Sequence, residues 1–126
     1  VNAGDTFLLV NQKLDDHLWV ILSDPGKDST RVLIVSLTTA APHKESVCLV
    51  HAGQHPGVTH ESCVAYNYAK IVTLANLHAW KDAGHLKLQV PLSPNLFKRI
   101  REQSAESVDL ALEFAELLAE QGLLEL

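Results

Sequence analysis

The sequence predicts a mainly β fold with C-terminal helices (α+β), a small, strongly bent sheet or partly open barrel. Three observations carry this expectation. Short runs rich in Val, Ile and Leu recur between residues 6 and 90, separated by turn-rich segments. The longest apolar run, within residues 31–39, is too short for a typical helix. From Ser93 onward the pattern changes to helical spacing, opened by Ser93-Pro94 and closed by Gly122.

The elements follow in order. Gly4-Asp5 precedes a short strand over residues 6–10, and residues 11–16 read as a polar turn. Residues 17–23 form the next strand. Asp24-Pro25-Gly26 then turns the chain, because Pro presets φ and Gly tolerates positive φ. Residues 31–39 are a strand ending in two hydroxyls, Thr38 and Thr39; residues 40–46 are a loop and residues 47–50 a strand. Residues 52–61, with two glycines and a proline, must be loop. Residues 62–66 and 69–73 read as one bent strand or two short ones. Residues 74–82 give a helical turn or two stopped near Gly84, and residues 86–90 alternate as a strand does. Leu96, Phe97 and Ile100 give the helix after Ser93 a buried face. Ser107 is expected to cap a last helix running to about Gln121. Its apolar residues, Val108, Ala111, Leu112, Ala115 and Leu118 beside Leu110, Phe114 and Leu117, span too wide an arc for one flat contact.

Length and composition bound the class. At 126 residues and 47% hydrophobic the chain is one domain with a core of its own. No stretch reads as a signal peptide or a bilayer span. Two cysteines make no disulfide framework, which points to a reducing cytoplasm. The net charge of −5 is uneven: from Glu102 onward there are seven acids and no Lys or Arg, whereas residues 1–101 hold ten bases against eight acids. The body is slightly basic and the tail strongly acidic.

Several residues have the chemistry of a site, each with a plainer alternative. Thr38 and Thr39 can bind a phosphate oxygen, or are simply good strand residues. His17 can relay a proton near neutral pH, or is a solvated hairpin residue. Cys48, His51, His55, His60 and Cys63 are zinc-compatible ligand types, but their spacings match no zinc motif, and a cysteine in an apolar strand usually behaves as a small hydrophobe. Tyr66, Asn67 and Tyr68 with Lys70 combine rings, an amide and a cation, as single-stranded RNA recognition requires; the alternative is a half-buried sheet.

The succession of Gly4-Asp5, HLWVILS, the turn, VLIVSLTT, CLV, SCVAYNYAKIV and a closing helix through Ile100 resembles the PemK/MazF-like toxin family over roughly residues 4–101. The resemblance implies an SH3-like or CcdB-like barrel, in bacteria, that forms a homodimer and cleaves single-stranded RNA until a partner antitoxin blocks it. It implies a barrel with closing helix over residues 1–103. Residues 104–126, beyond the resemblance, are expected to form an acidic amphipathic C-terminal helix packed on the same domain or on a dimer partner. His17-Leu18 stands where the family has an Arg-Pro pair, Thr38 or Thr39 matches its strand-end hydroxyl, Asn67 a polar position and Lys70 a basic one. The substitution matters, because a guanidinium clamps phosphate bidentately and keeps its charge, whereas a histidine must first be protonated.

On this resemblance His17 is the acid or base, Thr38 or Thr39 the phosphate donor, and Lys70 the charge stabiliser. His55 or His60 is a second acid–base group, and Tyr66, Asn67 and Tyr68 bind substrate. No metal or cofactor is needed. Two other readings stay open: a non-catalytic barrel for protein interaction or CcdB-like inhibition, and a metal-dependent module built on Cys48–Cys63. The acidic tail is expected either to compete with RNA for the cleft or to pack on the core.

Overall fold

The computed structural model describes residues 1–10 and 17–125. The polar turn expected over residues 11–16 lies outside the described residues. Six strands, β1 (Thr6–Leu9), β2 (Leu18–Ile21), β3 (Val32–Thr39), β4 (Leu49–Val50), β5 (Ser62–Val72) and β6 (Leu86–Gln89), form one antiparallel sheet in the order β4-β5-β3-β2-β1-β6. The sheet is curled into a half-barrel. Three helices accompany it: α1 (Leu74–Asp82), α2 (Pro94–Gln103) and α3 (Leu112–Glu120), with a 3-10 turn over Ser104–Glu106.

Alternation along the strands sorts the core into two layers. Leu18, Val20, Leu33, Val35, Leu37, Val64 and Tyr66 face the layer that α2 and α3 cover with Leu96, Ile100, Ala115, Leu117 and Leu118. Phe7, Leu9, Ile21, Val32 and Ile34 face the opposite layer, where Leu77 of α1 packs on them. α1 is nine residues long and stays on one part of that second face. Trp19, Ser36 and Thr38 follow the same alternation beyond it.

The bent-strand expectation for residues 62–73 resolves as one strand with a large bulge. Ile34 pairs with Lys70 and Ser36 with Ala65, so Val35 alone opposes Tyr66–Ala69. An excess of residues on one strand bends it and re-aims its side chains.

The sheet's edges are β4 and β6, and the loop after β4 spans the gap between them. It carries His55, 3% exposed, to the carbonyl of Val90 just past β6. Thr6 Oγ1 donates to the same carbonyl at 2.7 Å, and Gly57 N donates to His55 Nδ1 at 2.9 Å. With Nδ1 accepting, the ring proton sits on Nε2 and points at Val90 O, with Thr6 Oγ1 3.3 Å away.

The helical end follows the sequence closely, with one correction. Ser93 caps α2 by accepting from Leu96 N at 3.2 Å, with Pro94 in the first turn. Gly122 follows α3 at φ 73°, a left-handed conformation that costs glycine least. Ser107, however, does not cap α3. Its hydroxyl accepts from Asp109 N and Leu110 N and donates to Glu45 Oε1, forming a side-chain-held turn that competes with helix. α3 starts five residues later behind Ala111. Val108, counted in that apolar arc, belongs to this turn and is 92% exposed; within α3 Leu112 is 69% exposed, whereas Ala115, Leu117 and Leu118 are buried.

The acidic tail is anchored to the body. Gln121 accepts from Asp24 N at 2.7 Å, its carbonyl accepts from Lys27 Nζ at 2.7 Å, and Glu120 pairs with Arg31. No helix among the described residues is long and apolar enough to cross a membrane.

Candidate functional site

A groove of about 990 Å³ opens where β2, β3 and β5 run out past the cover of α1. Its floor comes from the sheet: Trp19, Ser36, Ala65 and Cys63 line it. They share a face by register, Trp19 opposite Ser36 and Ser36 opposite Ala65. Its walls are the loops around Lys44 and His60 and the β5 bulge.

Of the nine residues singled out in the sequence, His17, Thr38, Thr39, His60, Asn67, Tyr68 and Lys70 line this groove. His17 Nδ1 donates to Leu37 O at 3.1 Å. A neutral ring in that orientation keeps its lone pair on Nε2, the nitrogen left to meet a ligand.

The two threonine hydroxyls take different partners on the groove. Thr38 Oγ1 accepts from Lys44 Nζ at 2.9 Å, and Thr39 Oγ1 lies 2.8 Å from His60 Nε2. They are therefore not interchangeable: one is tied to an ammonium and the other to an imidazole.

Lys70 Nζ lies 4.8 Å from the centroid of the Trp19 ring, and that ring also stacks with Phe7 at 6.5 Å with a 12° tilt. This cation–π contact fixes Lys70 along the groove wall. Tyr68, 67% exposed, and Asn67 project from the bulge. An aromatic side chain that exposed buries little of its own surface and is available to stack on a ligand.

His55 and Tyr66 lie elsewhere. His55 is the seam residue described above. Tyr66, 2% exposed, donates its hydroxyl to Ile100 O at 2.7 Å and faces the α2 layer. Burial pushes its phenol well above the ordinary range, with the neighbouring Cys48 adding to the shift. Both polar tips are spent on carbonyls inside the protein, which leaves neither to meet a ligand in the groove.

Among the described residues no group of three or more His, Cys, Asp and Glu is placed to hold a metal ion. Within the Cys48–Cys63 set, His51 instead pairs with Glu61 at 2.6 Å. Both cysteines are buried and free, and burial pushes each thiol upward, away from the thiolate that metals and electrophiles require.

Several lining residues lay outside the sequence reading. Lys44 and Glu45 sit in a segment that reads only as loop, and Trp19 as strand core. Glu45 is turned to the C-terminal segment, accepting from Ser107 Oγ and, at 3.2 Å, from Val108 N; Asp109 stands beside it on the groove wall. The signal that could have found Lys44 is its place six residues after Thr38 in a short loop, close enough for a lysine to fold back on the strand end.

No protein-family model matches this chain, and no curated protein matches it.

Proposed function

We propose that the groove binds single-stranded RNA and cleaves it without a metal, as the PemK/MazF-like toxins that the sequence resembles do, on a barrel of their SH3-like or CcdB-like kind. The observation that carries this is the convergence of His17, Thr38, Thr39, His60, Asn67, Tyr68 and Lys70 on one groove. These residues come from β3, from β5, from the loop before β5 and from the position just before β2.

In the reaction His17 Nε2 takes the proton of a ribose 2′-OH, whose oxygen bonds to the adjacent phosphorus. The P–O5′ bond breaks and the leaving oxygen takes a proton from a second acid, the role of His60. The products are a 2′,3′-cyclic phosphate and a 5′-hydroxyl. Thr38 donates to a phosphate oxygen. Lys70 opposes the charge of the phosphate backbone, and Tyr68 and Asn67 hold the bases. A homodimer and an antitoxin partner belong to the same proposal.

Glu45 and Asp109 on the groove wall favour a second reading, a non-catalytic groove for a protein ligand, because carboxylates repel phosphate.

Incubation of mixed-sequence single-stranded RNA with the protein in EDTA, followed by mass spectrometry of the ends, separates the two. Cyclic-phosphate ends formed by the wild type and lost in a folded His17→Ala variant support cleavage. Intact RNA with the wild type rejects the ribonuclease.

A further inference from the structure

We propose that Lys44 is the phosphate-binding cation of the groove, seating a phosphodiester oxygen between its ammonium and the Thr38 hydroxyl, beside His17. The inference rests on the RNA reading of the groove and adds a residue to it.

The first support is how Lys44 is held. Its Nζ donates to Thr38 Oγ1 and to Thr39 O, both at 2.9 Å. Both acceptors are neutral, and an ammonium has three N–H donors. Among the described residues the third has no partner, and no carboxylate pairs with this ammonium. The adjacent Glu45 is occupied by Ser107 and Val108. Arg31, by contrast, is neutralised by Asp28 and Glu120, and Lys98 by Glu102. Lys44 is thus fixed in direction, and among the described residues its charge meets no carboxylate in an ion pair.

The second support is position. Trp19 opposes Ser36, and Val20 opposes Val35. His17 stands just before β2 and reaches the end of β3: its Nδ1 donates to the carbonyl of Leu37, the neighbour of Thr38, at 3.1 Å. His17, Thr38 and Lys44 line the same groove, so ammonium, hydroxyl and imidazole are gathered at that end of the sheet.

The third support is the engagement of the other groove lysine. Lys70 lies against Trp19, which suits it to a neighbouring stretch of backbone rather than to the point beside Thr38. In the cleavage step the phosphorane gains negative charge on its non-bridging oxygens. A preorganised ammonium in a partly enclosed site stabilises that charge more than water does. Lys44 supplies a standing positive charge, which an imidazole carries only when protonated.

The test uses a fluorescent oligothymidylate, which has phosphates but no 2′-OH, in anisotropy titrations across a salt series. Lys44→Gln is expected to weaken binding by at least about tenfold and to lower the slope of log K against log salt by about 0.7, one phosphate contact on a single strand. Lys44→Arg is expected to keep the wild-type slope. On the wild type, bound oligonucleotide should slow acetylation of Lys44 by acetic anhydride relative to Lys98, a readout that holds even where Lys44→Gln folds poorly. An unchanged salt slope in folded Lys44→Gln, or equal acetylation with and without oligonucleotide, overturns the proposal. Lys44-dependent binding by a wild type that leaves RNA intact rejects the ribonuclease and keeps the phosphate site; no binding by the wild type rejects both.

Discussion

His55 and Val90 join the two edges of the sheet. The imidazole Nε2 of one, on the loop after β4, donates to the carbonyl of the other, just past β6. Both edges are short strands of two and four residues, at opposite ends of the strand order, and this side-chain hydrogen bond links the segments that follow them. His55→Ala empties a buried site and leaves Gly57 N without its acceptor. It is expected to destabilise the fold by about 2–3 kcal/mol. A lower urea midpoint at unchanged m-value is the check. Because the same loop continues to His60, cleavage by this variant should fall as well.

Tyr66 and Tyr68, two residues apart, should respond in opposite ways. Tyr66→Phe leaves Ile100 O without its donor and is expected to cost about 1–2 kcal/mol of stability, with RNA affinity unchanged. Tyr68→Ala should alter stability by no more than about 0.5 kcal/mol and weaken oligonucleotide binding by about 1–3 kcal/mol. Paired denaturation and anisotropy measurements on the two variants decide it.

Asp28 gives the fold an acid-dependent contribution. The Thr30 hydroxyl and the Arg31 guanidinium hold its carboxyl at about 2, below the ordinary 3.8. A depressed folded-state value stabilises fully above about pH 4 and is lost as pH falls through about 2. Stability measured from pH 5 to pH 2 should therefore drop more steeply in the wild type than in Asp28→Asn, with the gap between them closing toward pH 2. The site is exposed, so the gap should also shrink in high salt.

Cys48 and Cys63 should be silent toward a thiol reagent in the native protein, although Cys63 lies in the groove floor. It is 1% exposed and its thiol is pushed upward by burial. Both should react together at the rate of global unfolding in denaturant. Rapid native labelling of Cys63 would show that the floor opens.

Much of the architecture was legible because each strand carries a local signature: apolar runs such as Val32–Leu37, the Asp24-Pro25-Gly26 turn, and the Ser93-Pro94 opening of α2. What was not legible depended on partners distant in sequence. His55 looks like any loop histidine until Val90, 35 residues on, comes to meet it. Ser107 matches a helix cap by composition, but Glu45, 62 residues away, draws its hydroxyl into a turn. Tyr66 and Asn67 read as neighbours in one recognition patch, yet strand alternation buries one ring against α2 and leaves the other side chain outside. Lys44 has no motif around it; only the fold-back onto Thr38 gives it a place.

The bulge opposite Val35 lets two parts of the molecule vary separately. Tyr66–Ala69 stand against a single residue of β3, and pairing resumes on both sides of them. Asn67 and Tyr68, in the middle of that slack, hold no rung of the ladder. Their identities can change, and the slack can lengthen or shorten, while Lys70 stays opposite Ile34 and Ala65 opposite Ser36. The exposed side chains of the bulge can thus vary without disturbing the strand pairing on either side of it.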